Sequence, residues 1–158
     1  MRIKIFVLGL ICLMIYACTG TAPAPRQIVK AFPIEAPFDE VWQALIESFA
    51  ELQLPIQNME KDSGLISTDW IDFTGQKNTD YADCGKHRFG IKEGSRSGRF
   101  NVFVKRTSDN SCEVKVNCMY RWTLVSLMGE FAERRSCIST GNLEAEMFEL
   151  IKSKLKIE

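Results

Sequence analysis

From Ile28 onward, apolar and polar positions alternate in patterns that predict a strand, a helix, a set of antiparallel strands and a last helix. Ile28, Lys30, Phe32 and Ile34 alternate with Val29, Ala31 and Pro33, which predicts a first strand with Pro33 near its end. Pro37 then opens a helix at a position where its missing N–H is harmless. Asp39 and Glu40 fall in the first turn, where the helix dipole favours acids. Phe38, Val41, Trp42, Leu45, Phe49 and Leu52 follow at helical spacing as one broad apolar stripe, and Pro55 stops the run.

Ile56 to Lys61 and Leu65 to Asp72 flank Asp62-Ser63-Gly64 and read as a hairpin, with glycine available for a positive φ. The stretch 73–85 is polar and loop-like, His87 to Ile91 suggests a short strand, and Gly94-Ser95-Arg96-Ser97-Gly98 reads as a flexible tip. A second hairpin is clearer. Phe100, Val102 and Val104 form one face, and Ser108-Asp109-Asn110-Ser111 turns the chain. Cys112, Val114, Val116, Cys118, Tyr120 and Trp122 then share a face opposite Glu113, Lys115, Asn117 and Arg121. That is the alternation of an antiparallel sheet with one wet side. Residues 124–136 show no clear period. Ser139 or Thr140 can cap a last helix in which Leu143, Met147, Leu150 and Ile151 face inward. The implied fold is α+β: a curved antiparallel sheet with two helices packed on one face.

The N-terminus carries a different pattern. Arg2 and Lys4 precede an uncharged, almost wholly apolar run from Ile5 to Tyr16. That run is about half the ~20 residues a membrane-spanning helix needs, which fits a signal peptide over residues 1–17. Ile15-Tyr16-Ala17-Cys18 resembles the lipobox of bacterial lipoproteins. The resemblance implies cleavage before Cys18 and attachment of lipid to its thiol and new amino group. Residues 18–27, small, polar and containing Pro23 and Pro25, then read as a flexible tether, and 28–158 as a single domain.

Cleavage leaves 141 residues, enough for one domain with a real core. Lys and Arg total 20 and so do Asp and Glu, and losing Arg2 and Lys4 keeps the mature chain near neutral. No basic stripe is present, so nucleic acid is not an expected partner.

Two further stretches resemble a known family. Ala36-Pro37-Phe38-Asp39-Glu40-Val41-Trp42-Gln43-Ala44-Leu45 resembles the helix opening of helix-grip domains. Gly64-Leu65-Ile66-Ser67-Thr68-Asp69-Trp70 resembles the strand after the first hairpin in BamC-like lipoproteins, accessory proteins of the outer-membrane β-barrel assembly machinery. The segment after Gly141 fits the same pattern, so the resemblance spans residues 28–157. It implies a helix-grip domain, lipid-anchored on the periplasmic face of the outer membrane, that acts through an envelope protein partner without catalysis. Thr19 stands where an Asp would imply inner-membrane retention. BamC carries two such domains and a long N-terminal segment, whereas this chain has one domain and a short tether.

Chemical motifs are sparse. Gly94 to Gly98 places Arg96 where a GxSxG elbow needs serine, and HExxH, P-loop and GxGxxG patterns do not occur. His87, the only histidine, sits between Lys86 and Arg88 and reads as a surface residue. Asp69, Asp72, Asp80 and Asp83 lack EF-hand spacing and read as solvated acids. No cofactor or metal is expected. Trp42 and Trp70 read as core, with the lining of a helix-to-sheet cavity for an apolar ligand as the alternative. Leu124, Val125, Leu127, Met128 and Phe131 either pack under a loop or form an exposed contact site.

Export puts Cys84, Cys112, Cys118 and Cys137 in an oxidising compartment. A zinc site made of these four thiolates is the less expected use of them. Cys112 and Cys118 lie on one strand face, about 20 Å apart, far beyond the ~7 Å limit for a disulfide. Cys84 and Cys137 both fall in predicted loops, which makes Cys84–Cys137 the expected bridge. Cys118 is then a buried free thiol, with Cys112 a competitor for one of the loop cysteines.

Overall fold

The alternating segments fold as one antiparallel sheet in a computed structural model that describes residues 20–73 and 80–157. In chain order the elements are β1 (Ala31–Ile34), α1 (Phe38–Glu51), β2 (Ile56–Glu60), β3 (Leu65–Thr68), β4 (Ile71–Phe73), β5 (Ala82–Asp83), β6 (Ile91–Ser108), β7 (Ser111–Ser126), β8 (Phe131–Ser139) and α2 (Asn142–Leu155). The strands lie in the order β2-β3-β6-β7-β8-β5, with β1 added to β7 and β4 to β6. The fold is α+β, an open antiparallel sheet with both helices on one face, as the sequence pattern implies.

The long hairpin β6–β7 is the spine. Its register pairs Val104 with Val114, Val102 with Val116 and Phe100 with Cys118. The period of two then sends Val102, Val104, Val114 and Val116 to one side, where all are buried. Helix α1 covers that side with Val41, Trp42, Leu45 and Phe49, and α2 with Leu143, Met147 and Ile151. Leu150, expected to face inward, is only half-buried; Glu144 takes a fully buried place instead. Phe148 of α2 stacks on Phe32 of β1 at 4.4 Å, which fastens the last helix to the first strand. The predicted turn at 62–64 forms. Gly64 has φ 69°, and its carbonyl accepts the N–H of Val104 at 2.8 Å, joining the turn to β6.

Four expectations are corrected. Gly94 to Gly98 is not a flexible tip, and His87 to Ile91 is not a separate strand: β6 starts at Ile91 and runs through the glycines. Gly98 serves close approach, because a Cβ there would lie 2.7 Å from the Phe73 ring and 2.8 Å from the Phe100 ring. The stretch 124–136 is not aperiodic loop. β7 continues past Trp122 to Ser126, and β8 begins at Phe131. β8 hides in the sequence because both its faces carry polar residues, Glu133, Arg135 and Ser139 on one and Arg134 and Ser136 on the other. Cys137 therefore lies in a strand, not a loop. Residues 20–27 lie along the body without regular structure: Thr21 O accepts the N–H of Lys86 at 3.0 Å, and Arg26 meets Asp83 at 3.2 Å.

Candidate functional site

The helices cover one face of the sheet and leave the other open. On that open face Ser97, Arg99 and Asn101 of β6 pair with Arg121, Met119 and Asn117 of β7. Ser136 and Arg134 of β8 continue the row beside Arg121 and Thr123. Trp70, in the link between β3 and β4, lies across this row. The Arg121 guanidinium stands 3.9 Å from the centre of its ring, and Arg121 Nε donates to Ser97 Oγ at 3.0 Å. The Trp70 face thus holds Arg121 by cation–π attraction while Ser97 fixes its orientation. Trp70, Met119, Arg121, Arg134 and Ser136 line an open cleft of about 540 Å³. Planar guanidinium groups beside an aromatic ring and an exposed methionine suit a partner that offers carboxylates and apolar side chains.

A second exposed feature lies at the end of the sheet. Phe89, Leu127, Met128 and Phe131 are 89%, 59%, 91% and 65% exposed. Leu127 and Met128 form the β7–β8 turn, and Phe89 occupies the turn just before β6. Ile91, which opens β6, pairs with Ser126, so the two turns sit side by side. Of the five residues expected as a contact site, only Leu127, Met128 and Phe131 are exposed. Leu124 is corrected to core: it continues the inward face of β7 after Tyr120 and Trp122 and is fully buried. Val125 is half-buried on the opposite side. Phe89 was missed because its neighbours resemble a short strand; the Phe89-Gly90 turn is the signal that finds it.

The expected Cys84–Cys137 bridge is present, with Cα atoms 4.3 Å apart, and Cys112 and Cys118 are free. Ala82 pairs with Ser139 and Asp83 with Ile138, so Cys84 and Cys137 are the next cross-strand neighbours. Beneath the bridge lies a buried polar group. Ser139 Oγ donates to Glu144 at 2.9 Å and accepts the N–H of Gly141 at 3.1 Å. Ser139 thus ties the Gly141 backbone to the Glu144 carboxylate, but the N-cap of α2 is Gly141, with no side-chain capping bond, and not Ser139 or Thr140 as expected. Burial, and then the Glu144 charge, push the Cys118 thiol well above its ordinary range. Burial likewise raises Tyr120. A thiol held protonated is a poor nucleophile and packs as a small apolar group.

A third feature is an open cleft of about 890 Å³ between the start of α1 and the β2–β3 turn, floored by Phe38 and Val104. Two of its cations are engaged, while Asp62, Lys105, Glu113 and Lys115 on its lining form no ion pair among the described residues. Lys61 meets Asp39 at 2.7 Å, and Arg106 stands 4.9 Å over the Phe38 ring. Inside the domain, a void beside Tyr81, Cys84 and Tyr120 holds only about 10 Å³, the space of one small probe. His87 is exposed with its ring 5.7 Å from Trp122. Asp69 accepts the N–H of Trp70, and Asp83 that of Gly85. Among the described residues no three His, Cys, Asp or Glu side chains come together as metal ligands, and no helix is long and apolar enough to cross a membrane. Trp42 is core, whereas Trp70 belongs to the open face. Cys18, the expected lipid site, lies outside the described residues.

No family model matches the chain, and no curated protein matches it.

Proposed function

We propose that this is a lipid-anchored accessory or scaffold protein on the periplasmic face of the outer membrane, working through protein contacts made by the open face of its sheet. The observation that carries the reading is the Trp70–Arg121 stack beside Met119 and Arg134 on a face no helix covers. Interfaces favour this combination of tryptophan, arginine and methionine, and truncating such anchors weakens binding most. The lipobox-like Ile15 to Cys18 supports the anchor, and an α+β open sheet agrees with the helix-grip resemblance. Through that resemblance, β-barrel assembly is the process to which the partner belongs.

Site-specific photocrosslinking in intact cells tests the reading. A photoreactive residue replaces Met119 in one strain and Glu149, exposed on α2, in another. The expected result is a discrete protein adduct at Met119 and none at Glu149, weakened at least fivefold by Trp70→Ala or Arg121→Ala. Absence of a protein adduct at Met119 overturns the proposal. Co-purified lipid with no protein adduct turns the assignment toward a carrier of apolar ligands.

A further inference from the structure

The apolar end of the sheet coincides with the place where the chain would meet its lipid. Gly20 is wedged against the Lys86 carbonyl, the Arg88 amide and the Arg135 guanidinium. Arg88 immediately precedes Phe89, and its carbonyl accepts the N–H of Ile91. The backbone at Gly20 is thus fastened beside the Phe89 turn. Cys18 is two residues earlier, within about 7 Å of Gly20 by chain length alone. The described chain therefore begins beside the Phe89 turn, at the end of the sheet that also exposes Leu127, Met128 and Phe131.

The charges around these side chains have one dominant sign. Lys86, Arg88, Lys92 and Arg134 surround the two turns, and none of them forms a salt bridge among the described residues. The Lys92 ammonium donates to the Leu127 carbonyl at 3.1 Å, and Arg134 stands 5.9 Å over the Phe131 ring. Glu133 is engaged by Arg135 at 2.6 Å, and Glu93 by Arg96 at 2.7 Å. Glu130 is the remaining acid in the turn. Apolar side chains at a tip, ringed by long cationic ones, match the boundary between acyl chains and anionic headgroups.

We infer that the end of the sheet formed by Phe89, Leu127, Met128 and Phe131 is a membrane-docking surface. It inserts these side chains at the lipid interface, with Lys86, Arg88 and Lys92 against anionic headgroups. The inference rests on the lipid-anchor reading and adds orientation to it. The β6–β7 hairpin spans 16–18 residues per strand. Docking at one end carries its Asp109-Asn110 turn roughly 50 Å from the bilayer. The sheet then stands upright, and the Trp70–Arg121 face is presented sideways to a neighbour on the same membrane.

Photocrosslinking to lipid tests this on the full chain in cells. A photoreactive residue replaces Met128, or Asp109 at the far turn, and the same samples are fed labelled fatty acid. The expected result is lipid adducts at Met128 at least tenfold above those at Asp109. In a second strain the probe replaces Phe131. There the triple change Phe89→Ser, Leu127→Ser and Met128→Ser, all at exposed positions, lowers the adducts at least fivefold. Fatty-acid label on the protein with no lipid adduct at Met128 overturns the docking surface while leaving the anchor intact. A protein adduct at Met128 in place of lipid also overturns it and gives this end to a protein partner. Lipid adducts on a protein that carries no fatty-acid label before irradiation sustain the docking surface and overturn the anchor.

Discussion

Removing the Cys84–Cys137 bridge by the double change Cys84→Ser and Cys137→Ser has a magnitude that follows from chain length. The two residues are 53 positions apart, and the loop they close contains the whole of β6 and β7. Constraining a loop of that size in the unfolded chain is worth about 4 kcal/mol in the chain-entropy model. For a domain of this length that corresponds to a fall in Tm of about 15 °C. The native contacts near the bridge are few: β5 has two residues and two register pairs with β8. The loop after it, which carries Lys86 and His87 over Trp122, therefore depends on the bridge more than the sheet does. Urea unfolding of both proteins under non-reducing conditions measures the loss. The m-value is expected to rise as well, because an uncrosslinked unfolded chain exposes more surface. A double variant within 1 kcal/mol of the parent would refute the reasoning, as would free thiols at Cys84 and Cys137 in non-reduced protein.

Other perturbations have equally definite outcomes. Gly64→Ala places a Cβ 2.1 Å from the Val104 carbonyl at a φ of 69°; strain of this kind costs about 1–3 kcal/mol, read as a lower urea midpoint with an unchanged m-value. The Lys61 hydrogen bond and charge hold Asp39 below the usual carboxylate value of 3.8, with Arg106 adding its charge. A depressed folded-state pKa gives stability that is present above the unfolded value and is lost as pH falls through the folded one. Lys61→Met should raise the Asp39 midpoint in an NMR titration toward the ordinary carboxylate range, and an unmoved midpoint would disprove the pairing. Cys112 and Cys118 should resist maleimide at pH 8 in the folded protein and react in urea, since Cys112 is buried and burial holds the Cys118 thiol protonated. Rapid labelling of native Cys118 would show that its surroundings are wrongly drawn.

What the sequence disclosed depended on how one-sided each element is. Helix α1 and the β6–β7 hairpin each bury one face and wet the other, so their periods of 3.6 and 2 were readable from Phe38 to Leu52 and from Phe100 to Trp122. β8 is bonded to two neighbours yet carries charge and hydroxyl groups on both faces, and no pattern marks it. Gly98 read as flexibility because a glycine that admits the Phe73 and Phe100 rings looks, in one dimension, like a glycine in a loop. The candidate site divided in the same way. Leu127, Met128 and Phe131 stood out as apolar residues without a period, whereas Arg121 on Trp70 is a pairing between residues 51 positions apart that only the sheet order β3-β6-β7 brings together. The disulfide was expected from two cysteines read as loop residues, with Cys112 as a competitor; Cys137 lies instead in β8, and it meets Cys84 because β5 and β8 are antiparallel neighbours.

Intact-mass spectrometry of the protein extracted from envelope membranes tests the central claim most directly. The account predicts a chain that begins at Cys18, carries lipid on its thiol and α-amino group, and retains the Cys84–Cys137 bridge. An unacylated chain free in the periplasm, or one that begins at a residue other than Cys18, would contradict it.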